Sequence, residues 1–406
     1  MNAQQKSGAP SASLSSLGLM IVLLTAVITP LSASALGFRI PNQDAESTAK
    51  GNAVIATADN PSAIYYNPAG ITQIGGTEAQ FGMHVITVDS HFQPLSGHDS
   101  DTKFELQPVP QFYAVYALSN YPVTLGLGMY APYGLGLQWP GDAQLRNFGI
   151  EGRLTYVTLA PVAAWEILPG LSIAAGPTID YSQVKLRRGI GGVPGDVFRF
   201  TGDGYAAGAK AGLRWQPLER WAFGVSYVSP TTVTFDGGST AKPETQGKRP
   251  TKADIRFPQF IMGGVSFRPT PRWNVELGVD WTDWGTVDTP VFEGTAFGNV
   301  PFPLNWRSSY MIYSGVERYF DNNYWVAAGY FYSQDSTSDK QFTPLVPDTD
   351  LHVASIGIGR KGVKWDWGLS FQVITGPKRD IQNGTAADGA YHFFNEAVNW
   401  SISRRF

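Results

Sequence analysis

Long parts of this sequence alternate between apolar and polar or small residues, and this period of two limits the fold more than any other feature. From Trp273 to Thr282 the odd positions are apolar and the even positions are polar or glycine. The same alternation runs through residues 78–85, 207–215 and 394–406. Successive side chains of a β-strand point to opposite faces, so each segment predicts a strand with one apolar and one polar face. The wall of a transmembrane barrel requires this pattern, because one face meets lipid and the other meets the lumen.

The composition favours one large β architecture with an apolar exterior. Charged residues form 16% of the 406 residues and aromatic residues form 13%. In soluble domains about a quarter of the residues are charged. The formal net charge of −3 gives no sign of a nucleic-acid partner. The chain has no cysteine, which excludes a disulfide scaffold and thiolate metal sites.

The sequence also limits how the chain can cross a membrane. After residue 35 no apolar stretch approaches the roughly 20 residues that a spanning helix needs. Only helices and closed barrels satisfy every backbone group in lipid, so we predict an all-β, antiparallel transmembrane barrel over residues 77–406. Short connections alternate with long polar loops, and the count between them gives about fourteen strands. The long loops lie near residues 93–108, 139–152, 188–203, 236–251, 287–303, 334–350 and 376–390.

Residues 1–35 have the pattern of a signal peptide. Lys6 precedes an apolar run from Leu17 to Ile28, and Ala33-Ser34-Ala35 offers a small-residue cleavage site. Export followed by insertion as strands predicts a place in the bacterial outer membrane. We expect Phe406 to be the terminal aromatic that the barrel-assembly machinery recognises. We also expect a monomer in contact with outer-membrane lipid and lipopolysaccharide.

Residues 36–76 differ from the rest of the chain, since they show no sustained helical or strand period. About forty such residues cannot build a core of their own. We therefore predict a plug that lies inside the barrel. It contains two Asn-Pro turns, Asn60-Pro61 and Asn67-Pro68-Ala69-Gly70, in which proline fixes φ and the asparagine amide can bond nearby backbone.

This segment resembles the N-terminal hatch of the FadL/TodX family of outer-membrane transport proteins. The resemblance lies in Gly37-Phe38 and in Asn67-Pro68-Ala69, which match the Gly-Phe start of mature members and their Asn-Pro-Ala motif. It implies a hatch gated at Phe38, Asn67, Pro68 and Ala69, and diffusive uptake of hydrophobic compounds with lateral release into the bilayer. Long-chain fatty acids are the first expectation for the ligand, and aromatic hydrocarbons are the alternative.

The third predicted strand, residues 123–138, contains Ala131-Pro132-Tyr133 between pairs of glycines. Proline removes a donor from the ladder, and glycine there allows a sharp bend. The segment is therefore either a kink that opens the wall or a strand that has already left the membrane. The family resemblance implies an inward kink in this strand, which favours Pro132 and Gly134 as the lateral opening.

A ligand with a carboxylate would need a buried Arg or Lys among apolar walls. Lys185, Arg187, Lys210 and Arg214 lie on predicted strands at either side of one external loop and are candidates for this role. The alternative is that they are ordinary charges of the lumen or of the headgroup region.

The sequence offers no motif for an enzyme. It lacks GxxxxGK[ST], GxSxG and HExxH, and its five histidines do not cluster at metal-ligand spacing. We therefore expect no catalytic residue, no metal and no cofactor. Two other classes stay open: a structural or adhesive barrel with a permanently closed plug, and a water-filled porin.

Overall fold

A computed structural model describes residues 37–406, apart from Gly192, Pro194 and residues 243–246. The predicted signal peptide lies outside the described residues. Strands account for most of the described chain, and the predicted all-β class is confirmed.

Fourteen antiparallel strands form one closed barrel, which confirms the predicted number. Each strand pairs with its neighbours along the chain, and the last pairs with the first from Glu78–Arg405 to Ile86–Ala397. The strands are β1 (Thr77–Val88), β2 (Glu105–Ala117), β3 (Val123–Tyr130 and Gly134–Gln138), β4 (Glu151–Leu168), β5 (Leu171–Gly189), β6 (Val197–Leu218), β7 (Trp221–Val228 and Thr231–Lys242), β8 (Arg249–Phe257 and Phe260–Thr270), β9 (Trp273–Thr282), β10 (Ser309–Tyr319), β11 (Tyr324–Ser333), β12 (Leu351–Lys361), β13 (Trp365–Thr375) and β14 (Gly389–Arg405).

The alternation predicted from the sequence has its polar side inward. In β9, Asn274, Glu276 and Asp280 are each 1% exposed, whereas Leu277 is 54% exposed on the outer surface. A soluble barrel would place its apolar residues inside. The reverse arrangement suits a wall whose outer face meets lipid.

Helices are short and lie in the leading segment and the loops. The α-helices are α1 (Ala45–Ala49) and α2 (Ala63–Tyr66), and 3₁₀ turns cover Pro68–Gln73, Gln144–Asn147, Trp284–Thr286 and Asp339–Gln341. Small strands in the loops cover Ser90–Pro94, Ser100–Asp101, Val291–Thr295, Gly298–Pro301 and Arg379–Ile381. In the part of the chain that is described, no helix has both the length and the apolar character needed to cross a membrane.

Residues 37–76, called the leading segment below, pack against the inward side chains of strands around the barrel. At the end with short turns, Lys50 lies 3.0 Å from Glu317 of β10, and Lys361 of β12 lies 2.8 Å from Glu46. Further along, Glu276 of β9 accepts the amide proton of Ala56 at 2.7 Å. These contacts between charged groups hold the leading segment in place. Removal of one partner would leave the other charge without compensation inside the barrel, which is costly.

Candidate functional site

Strand β3 is broken at residues 131–133, and the break leaves part of the wall without a ladder. The first half of β3 pairs with both β2 and β4. The second half, Gly134–Gln138, pairs with β4 but makes no ladder with β2 among the described residues. Residues 105–111 of β2 therefore face β3 without backbone pairing. This place, called the wall gap below, includes the predicted kink residues Pro132 and Gly134.

The leading segment supplies the hydrogen bonds that the broken strand lacks. The amide of Ile40 donates to the carbonyl of Pro132 at 2.8 Å, and the amide of Gly134 donates to the carbonyl of Phe38 at 2.8 Å. Arg39 and Tyr133 form the antiparallel bridge between these bonds. The start of the leading segment is thus paired with the wall as a short strand.

Phe38 is buried among aromatic rings that come from different parts of the chain. Its ring lies 4.8 Å from Trp284, 5.1 Å from Trp306 and 5.7 Å from Phe257, measured between ring centroids. Aromatic pairs at these separations add to the stabilisation from burial. The cluster fixes the position of the first residues of the leading segment.

Polar contacts anchor the residues on either side of Phe38. The Arg39 guanidinium lies 2.6 Å from Asp280 and 3.7 Å above the Phe260 ring. The amide of Gly37 donates to Oδ1 of Asp348 at 3.2 Å, so the segment is tied to the external loop between β11 and β12. Burial raises the pKa of Asp348 to about 6.

A cavity of about 520 Å³ lies behind the wall gap, within the range of small-molecule sites. Its lining includes both edges of the gap, the start of the leading segment, and residues 346–349 of the external loop. Most of the wall is apolar or aromatic. Its apolar residues include Phe38, Ile86, Val109, Met129, Tyr130, Tyr133, Leu135, Leu137, Leu154, Tyr156, Phe331, Leu351, Val353, Ile374 and Phe393.

Few polar groups of the cavity lining lack a partner. The hydroxyl of Tyr133 donates to the carbonyl of Pro258 at 2.8 Å, and Arg39 is matched by Asp280. His84 of β1 is different, since it is 1% exposed and neither ring nitrogen has a partner. Nε of Arg39 is also without one. The lining therefore offers the imidazole of His84 for hydrogen bonding. Among the described residues of the lining, no Lys or Arg side chain lacks an ion pair.

The Asn67-Pro68-Ala69 motif lies deeper, where the leading segment meets β6 and β7. Asn67 is fully buried. Its Nδ2 donates to the carbonyls of Ile55 at 2.8 Å and Leu213 at 3.0 Å, and its Oδ1 accepts the amide of Ala69 at 3.2 Å. A Cβ on Gly212 would lie 2.3 Å from Asn67 Oδ1, so glycine at this wall position allows the close approach. The motif joins two parts of the leading segment to the wall.

None of the four candidates for binding a carboxylate contacts the cavity. Lys210 and Arg214 point inward, where Lys210 Nζ donates to the carbonyls of Ile64 and Tyr65, and Arg214 Nε donates to the carbonyl of Ala56 at 2.8 Å. Both bind the leading segment. Lys185 and Arg187 lie on the outward face of β5.

Phe406 follows the last strand at the end with short turns. Its amide donates to the carbonyl of Thr77 at 2.9 Å, which closes the seam between β14 and β1. Its side chain is 72% exposed.

Two residues of this region were not singled out from the sequence. His84 occupies an inward, polar position in the alternation of β1. A single histidine at such a position was the sequence feature that could have pointed to it. Asp348 lies in a long loop, and its contact with Gly37 joins residues 311 positions apart. No local pattern encodes a contact of that kind.

Comparisons with known proteins agree with this architecture. A family model described as outer membrane protein transport protein (OMPP1/FadL/TodX) matches residues 26–403. The long-chain fatty acid transport protein of Escherichia coli is 22% identical, with 86% of this chain and 89% of that protein covered. An outer membrane protein of Neisseria meningitidis serogroup B is 27% identical, and the match spans 31% of this chain and 29% of that protein's length.

Solved structures show the same fold. A Pseudomonas aeruginosa FadL homologue superposes with a TM-score of 0.82 at 16% identity, covering 91% of this chain and 100% of that one. The Pseudomonas putida toluene transporter TodX gives a TM-score of 0.73 at 17% identity, with 91% and 100% covered. At these identities the likeness concerns the fold alone.

Proposed function

We propose that this chain, which belongs to the OMPP1/FadL/TodX family of outer membrane transport proteins, carries long-chain fatty acids inward across the outer membrane. The family transports hydrophobic compounds and its members are transporters or channels, not enzymes. The chain is accordingly an outer-membrane transport protein for hydrophobic compounds.

The observation that carries the choice of a fatty acid is His84 in an otherwise apolar wall. A buried polar group without a partner costs free energy, on the order of 1–3 kcal/mol. A carboxyl head would supply the missing hydrogen bond, and an alkyl chain would fill the apolar part, with each buried methylene contributing about 0.8 kcal/mol. A pure hydrocarbon would leave the imidazole unsatisfied.

The route follows from the position of the cavity. The ligand enters between the external loops and binds in the cavity against residues 37–42. Residues 36–76 act as a hatch, whose start at Phe38 moves away from β3 and opens the wall gap. The ligand then leaves sideways into the bilayer. No energy-coupling motif occurs in the sequence, so passage is diffusive and driven by the concentration difference.

Aromatic hydrocarbons are the second candidate, and the tyrosine and phenylalanine rings of the cavity favour them. The two candidates differ in whether transport needs His84. Cells without another uptake route would be given labelled oleate or toluene. They would carry the wild-type protein, His84→Phe, or the control variant His392→Phe, whose histidine is exposed near the start of β14.

We expect His84→Phe to reduce oleate uptake about tenfold, as loss of one hydrogen bond to a charged or polar head implies. Toluene uptake should not fall, and His392→Phe should behave like the wild type. Toluene uptake without oleate uptake would favour the aromatic alternative. Uptake of neither compound would favour a permanently closed structural barrel.

A further inference from the structure

The outer wall carries a group of basic side chains that transport through the cavity does not use. Lys185 and Arg187 of β5, Arg199 of β6 and Lys242 of β7 all lie on the outward face near the long external loops. We propose that this basic patch binds the phosphate groups of lipid A, the phosphorylated glycolipid of the outer leaflet.

The strand register brings these side chains together. Arg187 lies directly opposite Arg199, and Lys185 lies opposite Thr201, one outward position away from Arg199 on the same strand. Arg199 in turn lies opposite Thr240, with Lys242 at the next outward position of β7. Directly opposed side chains are about 4.5–5.5 Å apart at Cβ, and diagonal neighbours are within reach of long side chains. The four cations therefore form one continuous patch.

The height of the patch agrees with the level of lipid headgroups. Tyr181 and Tyr205 lie opposite each other with ring centroids 5.2 Å apart, and Tyr205 is 72% exposed on the outer wall. Below them the outward positions are apolar, as at Ile179 and Leu213. Aromatic pairs of this kind mark the edge of the hydrocarbon band. Lys185 is four residues beyond Tyr181, about 13 Å along the strand at about 3.3 Å per residue.

The charges of the patch are not balanced within the described part of the protein. Arg153 of β4, opposite Lys185, is matched by Glu105 at 2.5 Å and Glu151 at 2.9 Å. Arg187 also forms an ion pair at 3.9 Å with Glu151, which lies directly opposite it.

Lys185, Arg199 and Lys242 make no ion pair among the described residues. Asp203, the acidic neighbour diagonal to Lys185, does not pair with it within 4 Å. Like charges facing each other across strands are destabilising, so the patch gains from an external anion.

Phosphate is the anion that this surface meets. Arg binds phosphate oxygens with two parallel hydrogen bonds, and Lys binds as a point charge. Lipid A carries phosphates on a sugar head and acyl chains below, which would contact the apolar wall beneath the tyrosines. The carboxylate of a transported ligand cannot use the patch, because its side chains point away from the lumen.

Titration of the purified protein in mild detergent tests this proposal. Binding of bisphosphorylated lipid A, of its dephosphorylated form and of inorganic phosphate alone would be measured by native mass spectrometry. The test variant is Lys185→Gln/Arg199→Gln. The matched control is Arg318→Gln/Arg360→Gln, which removes two outward cations at the opposite rim. A charge-conserving variant, Lys185→Arg/Arg199→Lys, separates loss of charge from damage to the fold.

Each basic residue near an anionic lipid surface contributes about 1 kcal/mol, so we expect the test variant to bind lipid A roughly 30-fold more weakly than the wild type. The control and the charge-conserving variant should retain wild-type affinity, and dephosphorylated lipid A should bind wild type as weakly as lipid A binds the test variant. Equal binding of lipid A by the wild type and the test variant would overturn the proposal. So would tight binding of inorganic phosphate alone, which would indicate a general anion site.

Discussion

The amide of Gly134 donates a hydrogen bond to the carbonyl of Phe38 over 2.8 Å. A wall strand is thereby completed by the chain's own leading segment, on the side where it has no ladder to β2. Both residues line the cavity, and the proposed opening of the wall gap would have to break this bond. This relationship joins the strand beside the wall gap to the residues that line the cavity.

Replacing Asn67 with alanine should alter uptake while leaving insertion intact. The side chain joins Ile55 to the wall carbonyl of Leu213, and loss of a buried hydrogen bond costs about 1–3 kcal/mol. The ladder of the barrel does not depend on these bonds. Replacing Pro68 together with Asn67 should act in the same direction. Uptake of labelled ligand and the heat-dependent gel mobility of the barrel would measure the two effects.

Asn60→Ala is the matched control for this prediction. Asn60 bonds Ser62 and Asp44 within the leading segment, and in the described part of the chain its side chain makes no hydrogen bond to a wall strand. It should change uptake less than Asn67→Ala does. Loss of folding in Asn67→Ala would make the motif purely structural.

The stability of the protein should depend on pH through Asp348. Its pKa in the folded protein is about 6 against an ordinary value of 3.8, so the folded state holds the proton more tightly than the unfolded chain. This contribution favours folding below pH 3.8 and is lost as pH rises through about 6. At 1.36 kcal/mol per pKa unit, the free energy of unfolding falls by about 3 kcal/mol over this range.

Urea unfolding of wild type and Asp348→Asn in detergent, at pH 4 and pH 7, would measure this contribution. Between pH 4 and pH 7, the free energy of unfolding should fall by up to about 3 kcal/mol more in the wild type than in the variant. Asp339→Asn is the control, because its carboxylate is exposed in the same loop. An equal pH dependence in wild type and Asp348→Asn would contradict the assignment.

Deleting Phe406 should reduce the amount of protein assembled in the outer membrane. The exposed ring contributes little packing, so the folded barrel should lose little stability. We therefore expect poor yield in cells together with normal refolding into detergent in vitro. Normal yield in the membrane would contradict the assembly role. If the yield in cells and the refolding in detergent both fall, Phe406 acts through stability instead.

The alternation of side chains allowed much of the fold to be predicted. The pattern at Trp273–Thr282 was sufficient for a strand with its polar face inward, because the period of two and the low charge together indicate a lipid-facing wall. Repetition of that pattern between short and long connections gave the number of strands. Pro132 also lies at the break in β3, where its missing N–H removes one donor from the ladder.

The cavity could not be predicted from the sequence in the same way. Lys185 and Lys210 both appeared as basic residues on strands, yet one faces outward and the other bonds to the leading segment. The alternation over residues 207–215 puts Lys210 on the polar, inward face, whereas at residues 183–187 of β5 the polar positions face outward. His84 and Asp348 gain their roles from contacts across the barrel, which depend on how the leading segment folds and not on local residue patterns.

The most direct test is to cross-link the wall gap. Because the sequence has no cysteine, two introduced thiols can form a disulfide only with each other. In Gln107→Cys/Gly136→Cys the two thiols flank the gap, since a Cβ on Gly136 would lie 2.6 Å from Cδ of Gln107. The control pair Val326→Cys/Ile358→Cys joins directly opposed residues of an intact ladder. Ligand uptake would be measured with each pair oxidised and then reduced. Lateral release predicts that oxidation of the first pair stops uptake, that reduction restores it, and that the control pair has no effect. Undiminished uptake with the gap cross-linked would contradict it.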